Sequence, residues 1–570
     1  MAGFGGLAAL AGTGIGAASS TRGLAQAATT TAARAVFTGG TTLASVATPE
    51  HTDPTRYARL IDGAGWPTFV REDLAVASAG RDDRREALTA FVQLTDLHLI
   101  DAESPARMEY IRDLIPSAHR PQETLGAAGT AAIVRRINQV RRGPFTGRAL
   151  DFAMTTGDNT DNHEICEMEW FLTVMSGGSV AQRTGDPAAY EGVQADGDPA
   201  FWHPDRTIDG SAWAAKGFPE IPGLLNAAGS TFASPGLAIP WYCTFGNHDD
   251  SVQGSIADAP AMNEFYTGSV KVTARDRATM QRMADSFRDG SKTMTAADLF
   301  GTGTIRHVTP DERRRPFTPA EFVAAHFDTR WQGASPLGHG FTEENRDGRD
   351  LFYAFRIADG VTGISLDTTT MGGFARGSLG LHQFQWLERT LRAGSSRFWD
   401  AMGAERRQPA DDELFVVFSH HPSHAMDNAT PDPRRPDESR LLGPQVLDLL
   451  GRFPNVVAWI NGHSHRNRIV AHPSQTPERG FWEINTASHI DFPQLARIVE
   501  IADNRDGTLS LFTTLLESDA PAQVDYDDLS PLGLASLYRE IAANDLHVRP
   551  EAIGTPADRN TELLLPDPRR

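Results

Sequence analysis

Five short clusters of carboxylate, imidazole and carboxamide side chains are spread along the sequence: Asp96-Leu97-His98, Gly157-Asp158 with Asp161, Gly246-Asn247-His248-Asp249, Ser419-His420-His421-Pro422 and Gly462-His463-Ser464-His465. Each follows an apolar run that reads as a strand. The ends of neighbouring strands lie along one rim of a sheet, so groups hundreds of residues apart can converge there. In Asp96-Leu97-His98 and His463-Ser464-His465 the donors sit at i and i+2, which a continuing strand would send to one face, as a pair able to grip one ion. Carboxylate, imidazole and amide oxygen together select divalent ions of the Mn, Fe or Zn kind over metals held by thiolate. Seven such ligands are too many for one tetrahedral ion. They suit two ions with one carboxylate shared, roughly 3.5–4 Å apart as in dinuclear hydrolases.

The elements that must position these clusters read as an alternation of strand and helix. Phe91 to Thr95 is an apolar run halted at Asp96, and Thr124 to Arg142 sets Ile133, Val134, Ile137 and Val140 at helical spacing before Gly143-Pro144. Leu150 to Thr156 leads into Gly157, with a helix expected over Ile165 to Met175, and Ala238 to Phe245 leads into Gly246. Leu351 to Ile357 and Val361 to Leu366 flank Ala358-Asp359-Gly360 as a hairpin. Leu381 to Leu391 is amphipathic at helical spacing, and Pro444 suits a helix start. Leu414 to Phe418 leads into His420, and Val456 to Ile460 into Gly462. Phe481 to Ile484 and a hairpin about Asp503 to Gly507 complete the sheet-forming portion. This rhythm predicts a buried sheet. Residues 176–235 and 251–350 are polar and irregular and read as long insertions that serve a site, with one helix about Pro319 to His326.

The 570 residues, 40% hydrophobic and 22% charged, have a globular balance. Fifty-three basic against 73 acidic residues leave a formal charge of −20, a field that repels extended polyanions and argues against general binding to nucleic acid or anionic membranes. A small phosphorylated substrate stays compatible where local cations gather it. Cys166 and Cys243 are the only cysteines, which excludes a disulfide scaffold or thiolate zinc finger and leaves one disulfide between them allowed. Residues 1–47 are signal-like and low in complexity. Met1 to Ser20 carry no charge and precede Ala25-Gln26-Ala27, without a basic n-region. This stretch resembles the middle of a twin-arginine export signal whose arginines lay upstream of Met1. Export is therefore expected, with a cytoplasmic chain as the alternative, and the glycines make the stretch a poor membrane span.

In this order, D-x-H, G-D-x-x-D, G-N-H-D, H-H-P and G-H-x-H resemble the signature of the calcineurin-like metallophosphoesterases, from Asp96 to His465. The resemblance implies an α/β fold, an αββα sandwich of two mixed sheets flanked by helices. Its domain would span 85–515, interrupted by insertions at about 176–235 and 251–350, with a C-terminal appendage over 516–570. The resemblance gives Asp96, His98 and His465 to one metal, Asn247, His420 and His463 to the other, and Asp158 to both. By the same matching His248 protonates the departing oxygen and Asp161 orients its ring, while His421 is a weaker ligand candidate. Asp249 stands where members carry Asp or Glu. The implied activity is hydrolysis of a phosphomonoester or phosphodiester by in-line attack of a hydroxide bridging the two ions. Nucleotide or cyclic nucleotide hydrolysis is the alternative among enzymes. A metal-binding scaffold without turnover is the alternative from another class, against which the intact acid and ligand positions speak.

Histidines outside the clusters read as core or surface residues, with His163, His424 and His489 near enough to contact substrate. Trp202, Trp213, Trp331 and Phe232 in the insertions are expected to form satellite cores rather than a pocket.

Overall fold

Runs such as Ala90-Phe91-Val92 and Phe415-Val416-Val417-Phe418 are apolar at successive positions, so a strand made from them must be covered on both faces. The computed structural model, which describes residues 35–256, 262–289, 298, 301, 303–370, 374–474, 476 and 479–570, places these runs in two packed sheets. The signal-like stretch through Ala27 lies outside the described residues.

The chain lays down β1 (Phe69–Arg71), β2 (Glu86–Leu94), β3 (Phe152–Thr156) and β4 (Trp241–Thr244) in one sheet. It then builds a second sheet from β5 (Tyr353–Ala358), β6 (Val361–Ser365), β7 (Leu414–Phe418), β8 (Val456–Asn461), β9 (Arg468–His472) and β10 (Phe481–Asn485). It returns to the first sheet for β11 (Ala496–Asp503), β12 (Thr508–Leu516) and β13 (Thr561–Pro566). The seven-stranded order is β1-β13-β12-β11-β2-β3-β4 and the six-stranded order is β5-β6-β7-β8-β10-β9. β2, β3 and β4 are parallel, with Leu94 opposite Thr155 and Thr156 opposite Thr244. β6, β7, β8 and β10 are parallel too, aligning Ser365, Phe418, Ile460 and Ile484. Antiparallel neighbours, β11 beside β2 and β5 beside β6, make both sheets mixed.

Alternation along each strand divides the side chains between two layers. Phe91, Phe152 and Val499 of the first sheet meet Val416, Phe418 and Ile484 of the second in the inter-sheet core. On the outer face of the first sheet, Val92 and Ala153 pack under helices α1 (Gly126–Val140) and α2 (Ile165–Ser176). Val417 and Trp459 of the second sheet pack under α3 (Leu381–Ala393) and α4 (Gly443–Leu450). The result is the expected αββα sandwich.

Residues 516–570, read from sequence as an appendage, enter this architecture. α5 (Pro531–Asn544) lies on α1, where a Cβ on Gly129 would stand 2.2 Å from the Tyr538 ring, and β13 sends Leu563 and Leu565 into the inter-sheet core. The insertion after α2 is pinched at its base by strands Gly178–Val180 and Phe232–Ser234. Its Trp202 and Trp213 are buried with Phe218 against α5, and Trp331 joins the core under α2, so these aromatics build cores as expected. The later insertion holds the expected helix Pro319–His326, and also a strand pair, Val270–Ala274 with Thr304–His307, and the helix Arg277–Asp289. Cys166 and Cys243 are buried free thiols. Among the described residues no helix is long and apolar enough to cross a membrane.

Candidate metal centre

Each cluster begins one or two residues beyond the C-terminal end of a parallel strand: β2, β3 and β4 in the first sheet, β7 and β8 in the second. The backbone does not continue as a strand. Asp96, His98, Asp158, His463 and His465 all take left-handed conformations, with φ between 43° and 67°. The i, i+2 pairs therefore share a site because two left-handed residues fold the chain back, which corrects the continuing-strand argument. Left-handed non-glycine residues cost roughly 1–3 kcal/mol each and gather at functional sites. Glycine is needed where the clusters touch: a Cβ on Gly462 would lie 1.9 Å from Thr95 Oγ1, and one on Gly157 2.8 Å from His420 Nδ1.

Every predicted site residue is brought to this rim. His465 Nε2 lies 3.2 Å and His98 Nε2 4.0 Å from Asp96 Oδ1. His420 Nε2 lies 2.9 Å from Asn247 Oδ1 and 3.2 Å from His463 Nδ1. Asp158 Oδ2 stands between these two groups, 3.7 Å from His98 Nε2 and 3.1 Å from His420 Nε2. Donors sharing an ion at about 2.0–2.2 Å have this mutual spacing. His98 Nε2 is buried and has no hydrogen-bonding partner, as expected of a nitrogen reserved for a cation. The residues present thus fit two divalent ions.

A second layer fixes the rings. His98 Nδ1 donates to Asp161 Oδ1 at 2.9 Å, His420 Nδ1 to the Thr156 carbonyl at 2.8 Å, and His465 Nδ1 to Asp491 Oδ2 at 2.6 Å. Such contacts aim the other ring nitrogen at the site. Asp161 serves twice, since His248 Nδ1 lies 3.2 Å from its Oδ1 and 3.0 Å from its carbonyl oxygen. Arg107, fully buried, pairs with Asp161 and with Glu123 Oε2 at 2.9 Å. Asp249 accepts from the backbone N–H groups of Asn159, Thr160 and Gly246, each at 3.0 Å, bolting the second cluster to the third.

Sequence reasoning missed Asp491 and Arg107, which sit in loops with no motif around them. Asp491→Ala is expected to loosen the His465 ring and weaken metal affinity about 10–100-fold, read by competition with a chromophoric chelator. Unchanged affinity would show that the ring is held without this carboxylate.

Burial raises the Asp96 carboxyl, but the His465 imidazole outweighs it and the pKa settles at about 2. Burial opposes ionisation of Asp158 as well, and the surrounding imidazoles, His420 first, hold it well below the usual range. Burial and then His420 press His463 down to about 3; burial and then His248 press His98 to about 4. Both rings are therefore neutral, as a ligand must be. His420 is opposed by burial but raised to about 9 by Asp158, so in the metal-free chain it carries the proton that cation binding displaces.

The centre opens into a cavity of about 370 Å³ walled by Asp158, Asn247, His248, His463, Arg376 and His424 among others. Of the three further histidines, His424 alone lines it. His163 is tied to Tyr266 Oη at 3.0 Å and the Phe317 carbonyl at 3.3 Å, and His489 is buried behind the first cluster. His421, the weaker ligand candidate, packs against His463 with its Nδ1 2.8 Å from Thr368 Oγ1.

The sequence matches the calcineurin-like phosphoesterase family over residues 89–467, a span that holds every candidate residue above. The chain belongs to that family and is a metal-dependent phosphoester hydrolase. Among solved structures, a dimetal phosphatase from Danio rerio is similar at 11% identity and a TM-score of 0.35, over 76% of this chain and 100% of that one. The purple acid phosphatase from yellow lupin (Lupinus luteus) seeds is similar at 10% identity and a TM-score of 0.28, over 80% of this chain and 56% of that one. No curated protein matches the sequence.

Proposed function

We propose that the chain hydrolyses a small phosphomonoester or phosphodiester, with Asp96, His98, Asp158 and His465 around one cation and Asp158, Asn247, His420 and His463 around the other. The observation that carries this reading is the place of Asp158 Oδ2, within 3.7 Å of His98 Nε2 and 3.1 Å of His420 Nε2. Cations of the Mn, Fe or Zn kind, when bound, polarise a phosphoryl oxygen and lower the pKa of a water between them.

The chain's own residues do the rest. With Nδ1 of His248 engaged by Asp161, its Nε2 is left to hand a proton to the departing alkoxide. Burial lowers the pKa of His248, but Asp158 and then Asp161 outweigh it and raise the group above the ordinary imidazole value, the direction that favours the protonated ring. Arg107 holds Asp161, and through it the rings of both His98 and His248. Arg376, whose guanidinium is paired with Asp427, and His424, whose pKa burial lowers, line the cavity wall beside the centre.

A panel of phosphomonoesters, phosphodiesters and nucleotides assayed with Mn, Fe, Zn, Ca and Mg in turn tests this reading. Turnover of one class with Mn, Fe or Zn is expected, and no hydrolysis under any pairing would leave a metal-binding scaffold. The Gly/Ala-rich start of the chain supports action outside the cytoplasm. Fractionation of expressing cells should recover the protein outside the cytoplasm, in the periplasm, at the cell surface or secreted; retention in the cytoplasm would remove that part of the proposal.

A further inference from the structure

The reaction cavity shares Ser117, Arg120, His465 and Arg549 with a second cavity of about 340 Å³. Each lobe alone falls within the size that takes a whole small-molecule ligand, so the joined cleft has room well beyond a phosphoryl group. The chain just after α5 lines the second lobe with Asp545, His547 and Val548, and its Arg549 lines both lobes. That segment lies beyond residues 89–467, the span matched by the family.

The charges in this lobe are unequally committed. Asp491 is engaged on both oxygens, by Arg120 Nε at 2.6 Å and His465 Nδ1 at 2.6 Å. Asp545 accepts from the backbone N–H of His547 at 2.8 Å. Arg549 differs: its side chain is 55% exposed, and its nearest carboxylate oxygen, Asp491 Oδ2, is 3.9 Å away, too far for a hydrogen bond. A guanidinium carries five N–H donors in a planar fork that matches an oxyanion, and this fork stands where the two lobes meet.

We propose that the second lobe is a subsite for an oxyanion, phosphate or carboxylate, on the organic arm of the substrate, read by Arg549, so that the preferred substrates are phosphoesters bearing a second negative group. The inference rests on the phosphoesterase reading of the adjoining lobe and names the substrate class for it.

The test is steady-state kinetics of the metal-loaded enzyme on p-nitrophenyl phosphate, glycerol 3-phosphate, 3-phosphoglycerate and fructose 1,6-bisphosphate. The wild type should favour one or both of the last two over glycerol 3-phosphate by about tenfold in kcat/KM, the gain of one charge-assisted contact. The carboxylate and bisphosphate arms tell the two kinds of oxyanion apart. Arg549→Ala should erase the preference, chiefly through KM, and Arg549→Lys should restore part of it. Turnover of p-nitrophenyl phosphate with no preference among the other three, or an Arg549→Ala loss equal on all of them, overturns the subsite alone. No turnover of any ester sinks the phosphoesterase reading and the subsite with it.

Discussion

Asp158→Asn is expected to cut bound metal from two ions per chain to one or none and to lower kcat/KM by at least about 10³, or ~4 kcal/mol of barrier. The size of the effect follows from charge. Asp158 and Asp96 are the only carboxylates among the seven proposed ligands, and Asp158 Oδ2 lies within 3.7 Å of His98 Nε2 in one group and 3.1 Å of His420 Nε2 in the other. Removing its charge leaves two divalent ions against one anionic ligand. The substitution spares the fold, because the amide oxygen can still accept from the backbone N–H of His248, now 2.9 Å from Asp158 Oδ1. Elemental analysis of the purified variant, with a melting curve beside the wild type, reads the result. A variant that keeps two ions and most of its turnover would take Asp158 out of the bridging position.

His248→Ala should behave differently, keeping both ions while losing about 10²–10⁴ in kcat, roughly 3–5 kcal/mol of barrier, on alkyl esters. Aryl esters such as p-nitrophenyl phosphate leave as stable anions and should lose far less, a contrast that loss of metal would not produce. The pH profile adds a sign. The pKa of His248 is raised, so the working, protonated form persists below that value and the alkyl-ester rate falls as pH rises through it. That descending limb should vanish in the alanine variant. Equal losses on both ester types, or an unchanged limb, would remove His248 as the acid.

Much of this site is legible in the letters because parallel strands end side by side, so clusters that follow apolar runs share a rim whatever their separation in sequence. The αββα sandwich is legible for a related reason: strands buried on both faces, such as β7, show as unbroken apolar runs between amphipathic helices. The grouping of Asp96 with His98, and of His463 with His465, is right for a reason that residue types do not display. Asp and His enter positive φ more readily than most residues, but residue type does not fix it at a given position, so the left-handed turns here are set by tertiary structure. Asp491 is a lone acid in a loop between β10 and β11, tied to His465 only through the fold. β13 escapes notice because Leu563-Leu564-Leu565 is a short apolar run in a tail rich in Pro and Asp, and pairing with β12 and β1 makes it a strand. The pair Val270–Ala274 and Thr304–His307 is hidden likewise, its partners separated by a helix.

Anomalous diffraction from crystals of the chain loaded with zinc or manganese tests the central claim most directly. Two peaks are expected, one among Asp96, His98 and His465 and one among Asn247, His420 and His463, with Asp158 reaching both. A single peak, or metal bound elsewhere while these side chains stay unliganded, would contradict it.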